Sequence, residues 1–279
     1  MTTPNVIEVL VDKRSFTPSG VVCCAGYESG KWRKARLAKH LLDWLPDYVL
    51  TPEEKEAIDP LRPFRTLEKA ARRFFKPEMA GERGELGELL IHIICVQEFK
   101  TRQFVARLFY KMRTNDQVTG FDIVHVRYDT AEDKLELWLG EAKIHKDFFG
   151  AVSKAIQTLS DHLDAGFLEE AKALIGPKIP KNDPLYDKLS WLFDQNVSLD
   201  ELVDRIVVPV LVASNCTAVT SVGSLPINYQ TEAENCLQKM QDRLSEKYGT
   251  ELEIISLYMP LNDKDSLTEE FASRLAALT

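Results

Sequence analysis

Asp122, Glu141 and Lys143 are the residues whose types and spacing could do chemistry in this chain. Hard divalent cations such as Mg²⁺ take oxygen ligands and usually keep several waters, so two carboxylates and a nearby backbone carbonyl would form an open site of the catalytic kind. Lys143 lies two residues after Glu141, so on a strand the two side chains point to the same face. There the amine could orient a metal-bound water or neutralise a phosphate. This set of residues favours phosphodiester hydrolysis.

A predicted β-hairpin brings these residues together. The segments Phe121 to Tyr128 and Lys134 to Glu141 are rich in β-branched and aromatic residues, and five turn-prone residues separate them. If the hairpin closes over a four-residue loop, Asp122 lies opposite Glu141. Directly opposed Cβ atoms are about 5 Å apart, and like charges there are unfavourable unless something positive lies between them.

A buried helix is predicted just upstream, over Glu82 to Glu98, because apolar side chains cover nearly its whole circumference. Glu85 and Glu88 share one face of this helix, and His92 continues it. A buried carboxylate is costly unless it is paired or bound to a metal, so Glu88, which lies deeper in the apolar run, is the predicted third carboxylate. Both glutamates could instead occupy an exposed first turn that the helix dipole stabilises. His92 is predicted to be a core histidine with its hydrogen bonds made.

These residues, in this order, resemble the PD-(D/E)xK nuclease core. Asp122 follows Gly120 and Phe121, Glu141-Ala142-Lys143 lies on the next strand, and the glutamate helix precedes both. More narrowly, the runs GELGELLIHIICVQEF, GFDIVHVRYD and LWLGEAK are similar to the HamA family, the nuclease subunits of the bacterial Hachiman anti-phage defence system. The resemblance implies a restriction-endonuclease-like α/β fold.

The same resemblance implies a metal-dependent deoxyribonuclease. Mg²⁺, which Mn²⁺ could replace, would be held by Asp122, Glu141 and the backbone carbonyl of Ala142, with Glu88 as a direct or water-mediated ligand. Lys143 would position the nucleophile. The resemblance also implies DNA as the substrate. The implied partner is a HamB-like superfamily-2 helicase that loads or releases DNA and restrains the nuclease until an infection signal arrives.

A helix predicted over Phe148 to Gly166 follows the hairpin and overlooks the same site. Lys154 and Gln157 lie along one side of it at helical spacing. Some relatives of this nuclease core place a glutamine or a basic residue here. Either residue could help to place the substrate backbone, although a solvated helix face has the same pattern.

The net charge of −8 is unusual for a protein that binds nucleic acid unaided, because phosphate contacts require lysine and arginine. Residues 1–80 carry a net charge of +3 and residues 81–279 a net charge of −11. Two basic segments on predicted helices account for this difference, and they include Lys31, Arg33, Lys34, Arg36, Arg72 and Arg73. They are either solvated helix faces or contacts with DNA or an acidic partner surface.

The predicted architecture is an α/β sandwich, a mixed sheet flanked by helices. We predict an N-terminal basic α/β region over residues 1–80 and a nuclease-like domain over residues 81–279. Ile206 to Ala213 is predicted to be a strand that Pro209 limits to an edge or a bulge. Phe64 to Lys76 and Thr101 to Met112 are predicted to be helices.

Composition places the chain among globular proteins, with 44% hydrophobic and 28% charged residues. No apolar run approaches the roughly 20 residues needed to cross a bilayer, and the first residues do not open a signal peptide, so the sequence predicts a cytoplasmic protein. The five cysteines lack CxxC spacing, which argues against a disulfide framework and against a zinc site.

Two other functions are compatible with the sequence. A non-catalytic interaction subunit of the same kind of complex would keep the fold and hold a partner with its surface. A stand-alone restriction or repair nuclease would need DNA affinity without help. Lys143 favours the enzyme, because packing does not require a lysine at that position.

Overall fold

A computed structural model describes residues 6–58, 61–74, 85–105, 120–163, 169, 172–173, 176, 179, 181–219, 228–249 and 252–279. Its strands are β1 (Glu8–Asp12), β2 (Ser19–Cys24), β3 (Tyr27–Glu28), β4 (Lys31–Trp32), β5 (Arg102–Val105), β6 (Ile123–Asp129), β7 (Lys134–His145), β8 (Ile206–Asn215) and β9 (Glu253–Leu261). Its helices are α1 (Lys34–Asp43), α2 (Leu45–Val49), α3 (Pro52–Glu56), α4 (Pro63–Phe74), α5 (Glu85–Phe99), α6 (Phe148–His162), α7 (Tyr186–Leu192), α8 (Leu199–Val203), α9 (Tyr229–Tyr248) and α10 (Lys264–Ala276).

Seven of the described strands form one mixed sheet in the order β1-β2-β9-β8-β7-β6-β5. The four inner strands β2, β9, β8 and β7 run parallel to one another, whereas β1, β6 and β5 each pair with a neighbour in the antiparallel sense. Parallel strands require crossover connections, which put helices on the faces of a sheet. The α/β architecture predicted from the sequence, a mixed sheet between helices, is therefore confirmed.

Successive side chains of β8 point to opposite faces of the sheet, so the core forms two layers. Val208, Val210 and Val212 pack into the layer that also contains the apolar face of α6, and Val207 and Leu211 pack into the layer that contains α5. Side chains that alternate in this way are expected for a strand covered on both faces. The sheet consequently holds α5 on one face and α6 on the other, with β7 between them.

The hairpin of β6 and β7 has the predicted register. Asp129 pairs with Lys134 across a four-residue loop, and Ile123 pairs with Gly140 at the other end of the ladder. Gly140 permits this close pairing, because a Cβ atom there would lie 2.5 Å from Ile123 Cγ1. The register is thus set both by the short turn and by a position that has no room for a side chain.

The strand predicted over Ile206 to Ala213 is present as β8, but its predicted place in the sheet and one predicted helix are wrong. Residues Arg102–Val105 form edge strand β5 rather than the start of a helix, because they pair with β6; residues 106–112 lie outside the described part of the chain. Pro209 lies in β8, which is an inner strand and not an edge strand. β8 pairs with β7 at Val207 and again at Val210 but not between them, so the missing N–H of the proline falls where the ladder is interrupted.

The other helix predictions agree closely with the structure. α4 and α6 begin within one residue of their predicted starts; α6 ends at His162, four residues before its predicted end, and the predicted end of α4 at residue 76 lies outside the described segments. β1 and β2 join the same sheet as the later strands, since β2 pairs with β9. The predicted boundary between residues 80 and 81 falls among residues that are not described, so the division into two domains stays a prediction. No helix in the described segments is long and apolar enough to cross a membrane.

Candidate active site

A cavity of about 290 Å³ opens where β7 ends. It is lined by residues from α5, from α6, from β7 and from the segment before β6, namely Glu88, Asp122, Ala142, Lys143, Ile144, His145 and Lys154. Five of the predicted site residues therefore meet at one cavity. Among them are two carboxylates and two amines, which is a suitable set for a site that handles both a cation and an anionic substrate.

Asp122 is held in place by the backbone of β7. Its own N–H donates to the carbonyl of Gly140 at 2.8 Å, and the N–H of Ala142 donates to its Oδ2 at 2.9 Å. The side chain thereby accepts the N–H of β7 that lies beyond the last paired residues of the hairpin. Asp122 is buried, with only 7% of the residue exposed. A hydrogen bond from a backbone N–H to a carboxylate is of the stronger, charge-assisted kind, so it fixes the orientation of this group.

Glu141 and Lys143 form an ion pair between Oε1 and Nζ. Glu141 is almost completely buried, with 1% of its side chain exposed, whereas Lys143 lies at the cavity and is about a quarter exposed. On the other side, His162 Nδ1 on α6 is 3.7 Å from Glu141 Oε2. Glu141 itself is not among the described residues that line the cavity, so Lys143 forms the link between this carboxylate and the open space.

Glu88 reaches the cavity because α5 lies very close to β7. A Cβ atom on Gly87 would be 3.3 Å from both Ala142 Cβ and Ile144 Cγ1, so a glycine is what allows this approach. Glu88 Oε2 accepts a hydrogen bond from the hydroxyl of Tyr48 at 2.7 Å. Glu85 and Glu88 are both buried, at 7% and 5% exposure, so the alternative of an exposed first turn is wrong.

A chain of hydrogen bonds that is buried except at Asp47 runs beside Glu88. Asp47 Oδ2 lies 3.0 Å from His92 Nε2, His92 Nδ1 lies 3.0 Å from His125 Nε2, and His125 Nδ1 lies 2.8 Å from Thr101 Oγ1. The prediction that His92 is a core histidine with its hydrogen bonds made is confirmed. Burial lowers the pKa of His92 and, more strongly, the pKa of His125, so both imidazoles are neutral at pH 7.

Asp47 at the end of this chain is charged. Burial would raise the pKa of its carboxyl, but the hydrogen bond from His92 and the ammonium of Lys55, 2.9 Å from Oδ1, bring that pKa well below its usual value. An ionised carboxylate can only accept hydrogen bonds, so His92 Nε2 must donate to it. This assignment fixes the direction of every other hydrogen bond in the chain.

Lys154 and Gln157 differ in their positions on α6. Lys154 lines the cavity, as its predicted role near the substrate backbone requires. Gln157 is exposed, and its amide donates to Asp161 Oδ1 at 3.2 Å. Glu85, the alternative third carboxylate, is buried one helical turn before Glu88 but is not among the described cavity residues.

Most of the predicted DNA or partner contacts are already engaged within the chain. Arg33, Arg36 and Arg73 form ion pairs with Glu8, Glu28 and Glu54 respectively. Lys34 Nζ donates to Ser266 Oγ at 2.6 Å. Lys31 and Arg72 are exposed, and Lys31 lies in strand β4 rather than on a helix as predicted. The pairing of these residues reduces the charge that they could offer to a phosphate backbone.

Three residues beside the site, Tyr48, His145 and His162, were not predicted to belong to it. His145 could have been found, because it follows Glu141 and Lys143 at alternate positions on β7 and so shares their face. Its Nδ1 accepts the N–H of Asp147 at 3.1 Å. Tyr48 and His162 lie on helices distant in sequence, so no local pattern indicated them.

A larger cleft of about 900 Å³ lies at the opposite end of the strands and contains both charged and apolar residues. Its two arginines are paired: Arg14 with Asp12 and Glu98, and Arg127 with Glu136. Arg127 also lies over the ring of Trp138, with its Cζ atom 5.2 Å from the centroid. These charges balance one another, so the smaller cavity is the better candidate for chemistry on a phosphate.

The fold and the cavity define an α/β protein with an acidic and basic site where a central strand ends. Residues 5–275 match the HamA family, so the chain belongs to that family and is a component of a Hachiman antiviral defence system. A search of curated proteins gives no match to the sequence.

The residues around the cavity have the donor chemistry of a Mg²⁺ site. Glu88, Asp122 and Ala142 line the cavity, so two carboxylates and a backbone carbonyl could be ligands, and Mg²⁺ usually keeps several waters as its remaining ligands. Within the described residues, no three His, Cys, Asp or Glu side chains are grouped closely enough to hold a metal ion by themselves. The site would therefore depend on the backbone carbonyl and on water as well as on side chains.

Proposed function

We propose that this chain is a Mg²⁺-dependent deoxyribonuclease of a Hachiman system, with the cavity where β7 ends as the active site of a PD-(D/E)xK core. The observation that carries the proposal is that Glu88 of α5, Asp122 just before β6 and Lys143 of β7 line one cavity of about 290 Å³. Packing alone does not require two carboxylates and an amine to converge there, because buried charges are costly unless they are paired.

Each residue has a distinct part in the proposed mechanism. Glu88, Asp122 and the carbonyl of Ala142 would hold Mg²⁺, whereas Glu141, which is not among the described residues that line the cavity, would act through its ion pair with Lys143. The bound ion would lower the pKa of a coordinated water and polarise the phosphate. Lys143 would orient the attacking water and compensate negative charge on the phosphate. Its ion pair with Glu141 restricts the position of the amine.

Lys154 and His145 would hold the substrate. Both line the cavity. Lys154 on α6 contributes a second positive charge in addition to that of Lys143 on β7. His145 Nδ1 accepts a backbone N–H, which in the neutral ring leaves Nε2–H as a donor. An ammonium and a neutral N–H donor would bind non-bridging phosphate oxygens without forming a bond to them.

Charge supports a role for a partner in loading the DNA. The net charge is −8, and several cations that could contact phosphates are paired within the chain. Productive binding would therefore depend on a HamB-like superfamily-2 helicase that delivers DNA to the cavity. This part of the proposal comes from membership of the HamA family.

The direct test is cleavage of linear, nicked and supercoiled DNA with Mg²⁺, in the presence and absence of the helicase. Asp122→Asn and Lys143→Ala should each reduce cleavage by at least about 100-fold, since general acid–base and metal-dependent steps contribute factors of that order. Lys146→Ala is the matched control, because Lys146 is exposed, pairs with Asp265 and does not line the cavity. Cleavage that is equal in all four proteins would end the nuclease assignment.

A non-catalytic interaction subunit is the second candidate, and the burial of Glu141 in an ion pair with Lys143 favours it. Calorimetric titration with Mn²⁺ separates the two candidates, because a scaffold would bind no ion at the cavity. A stand-alone restriction or repair nuclease differs in another way: the isolated chain would bind DNA tightly, with an affinity that falls steeply with salt.

A further inference from the structure

Tyr48 makes a direct hydrogen bond to one of the carboxylates of the cavity. Its hydroxyl donates to Glu88 Oε2 at 2.7 Å, and both residues are buried, with Tyr48 2% exposed and Glu88 5% exposed. A neutral donor on one carboxylate oxygen restricts the rotation of the carboxyl group without cancelling its charge. The other oxygen can then be presented to a cation in a fixed direction.

The helix that carries Tyr48 is too short to hold a side chain rigidly by itself. α2 contains five residues, and isolated helices of that length are not stable in water. Asp47, the neighbour of Tyr48, provides a second attachment through its hydrogen bond to His92 on α5. α2 is thus joined to α5 at two points one helical turn apart, at Glu88 and at His92.

The chain of hydrogen bonds beyond His92 has a single consistent direction. Because Asp47 is ionised, His92 donates from Nε2 and its Nδ1 must accept; His125 then donates from Nε2, and its own Nδ1 accepts from the hydroxyl of Thr101. His92, His125 and Thr101 are between 0% and 3% exposed. Hydrogen bonds in such surroundings are electrostatically stronger than in water, and leaving one of them unmade is costly.

This chain connects the elements that carry the two carboxylates of the cavity. His92 lies four residues after Glu88 on α5, and His125 lies three residues after Asp122 on β6. The rings of Tyr48 and His92 also pack edge to face with centroids 5.3 Å apart, and those of His92 and His125 with centroids 5.0 Å apart. Any shift of α2 or α5 relative to β6 would break these contacts.

We infer that Tyr48 is a positioning residue for Glu88, and that the Asp47–His92–His125–Thr101 chain fixes the helix from which it acts. This inference rests on the proposed function, because positioning has a purpose only if Glu88 binds the ion. Tyr48 itself would contact neither the metal nor the substrate. It sets the orientation of Glu88, and the histidine chain sets the distance between the helix of Glu88 and the strand that follows Asp122.

The test is Mn²⁺ affinity measured by calorimetry on the full chain. Tyr48→Phe keeps the ring and its contact with His92 but removes the hydroxyl. Loss of a residue that orients a metal ligand typically weakens metal binding about 10- to 100-fold, and we expect a loss in that range. The matched control is Tyr248→Phe, which also removes a tyrosine hydroxyl, one that donates to the carbonyl of Ile156 at a partly buried position away from the cavity. The control should bind Mn²⁺ as tightly as the wild type.

A double-mutant cycle separates positioning from a general structural effect. In a Glu88→Gln background, Tyr48→Phe should cause no further loss of Mn²⁺ affinity, because Tyr48 acts only through Glu88. An equal loss in both backgrounds, or no loss in either, overturns the inference. If Mn²⁺ does not bind, or if Glu88→Gln and Asp122→Asn bind it as tightly as the wild type, the proposed function is overturned as well. If those two variants weaken binding and Tyr48→Phe does not, only the role of Tyr48 is overturned.

Discussion

The N–H of Ala142 donates to Oδ2 of Asp122 over 2.9 Å, so a carboxylate takes the place of a strand partner where the hairpin of β6 and β7 opens. This one hydrogen bond joins the residue just before β6 to the middle of the Glu141-Ala142-Lys143 sequence. It explains how two charged segments more than fifteen residues apart are held in a fixed relationship. Asp122 therefore has two roles: it accepts a structural hydrogen bond from β7, and it is proposed to bind the metal ion.

Substitutions at Asp122 should distinguish its structural hydrogen bond from its proposed role in metal binding. Asp122→Asn retains an oxygen that accepts the N–H of Ala142, so the free energy of unfolding should change by less than about 1 kcal/mol while Mn²⁺ binding is lost. Asp122→Ala removes the acceptor and leaves a buried N–H without it, which should cost about 1–3 kcal/mol. Urea denaturation and calorimetry measure the two effects. Equal destabilisation by both variants would show that the charge, and not the hydrogen bond, is what stabilises the fold.

Removal of Lys143 should destabilise the protein as well as inactivate it. Lys143→Ala leaves Glu141 buried without its ammonium partner, and breaking a buried ion pair costs about 3–5 kcal/mol; since Lys143 is a quarter exposed, we expect about 2 kcal/mol. The comparison is Lys146→Ala, whose exposed ion pair should contribute less than about 0.5 kcal/mol. Chemical denaturation at pH 7 measures both. A smaller effect for Lys143→Ala than for Lys146→Ala would contradict the pairing.

Stability should fall as the pH is lowered below about 6.5. Burial lowers the pKa of His92 and His125 in the folded state, so below the ordinary histidine value of 6.5 the unfolded chain binds protons that the folded chain does not. Each histidine then contributes up to about 1.4 kcal/mol of lost stability per pH unit. The low pKa of Asp47 adds its own loss only in much more acidic solution.

Denaturation curves between pH 7.5 and pH 5.5 test this dependence. His125→Gln removes one titrating ring from the chain that Asp47 and Lys55 face, so its free energy of unfolding should vary less steeply with pH than that of the wild type. The variant will be less stable at pH 7, but the prediction concerns the slope. An unchanged slope would mean that His125 is protonated equally in the folded and unfolded states.

Gly140 should not accept a side chain. In Gly140→Ala the new Cβ atom would lie 2.5 Å from Ile123 Cγ1 and 3.0 Å from Ile91 Cδ1, so the hairpin or α5 must move. Overpacking of this kind costs about 1–3 kcal/mol. In an Ile123→Ala background the same substitution should cost much less, because the two atoms nearest to the new Cβ, both in the side chain of Ile123, are gone. Thermal or urea unfolding of the four proteins measures the difference, and additive effects would argue against the steric explanation.

Local features of the sequence were enough to predict the hairpin and the burial of α5. Alternating side chains and a short turn leave one register for β6 and β7, and the apolar surface of α5 has to be covered on every side. The prediction for Thr101 to Met112 was wrong because Arg102–Val105 have a mixed pattern, and pairing with β6 decides their conformation. Pro209 was misplaced because a proline is tolerated in an inner strand where the neighbouring ladder is interrupted.

The sequence by itself determined which charged residues could act together, because residue type and strand periodicity operate over a few positions along the chain. The sequence favoured Glu88 over Glu85 as the third carboxylate, but only the tertiary structure decided that Glu88 reaches the cavity and that Tyr48 holds it. Those relationships depend on how closely α2 and α5 pack against the sheet. Such packing arises from contacts between residues some forty or more positions apart, which no local pattern encodes.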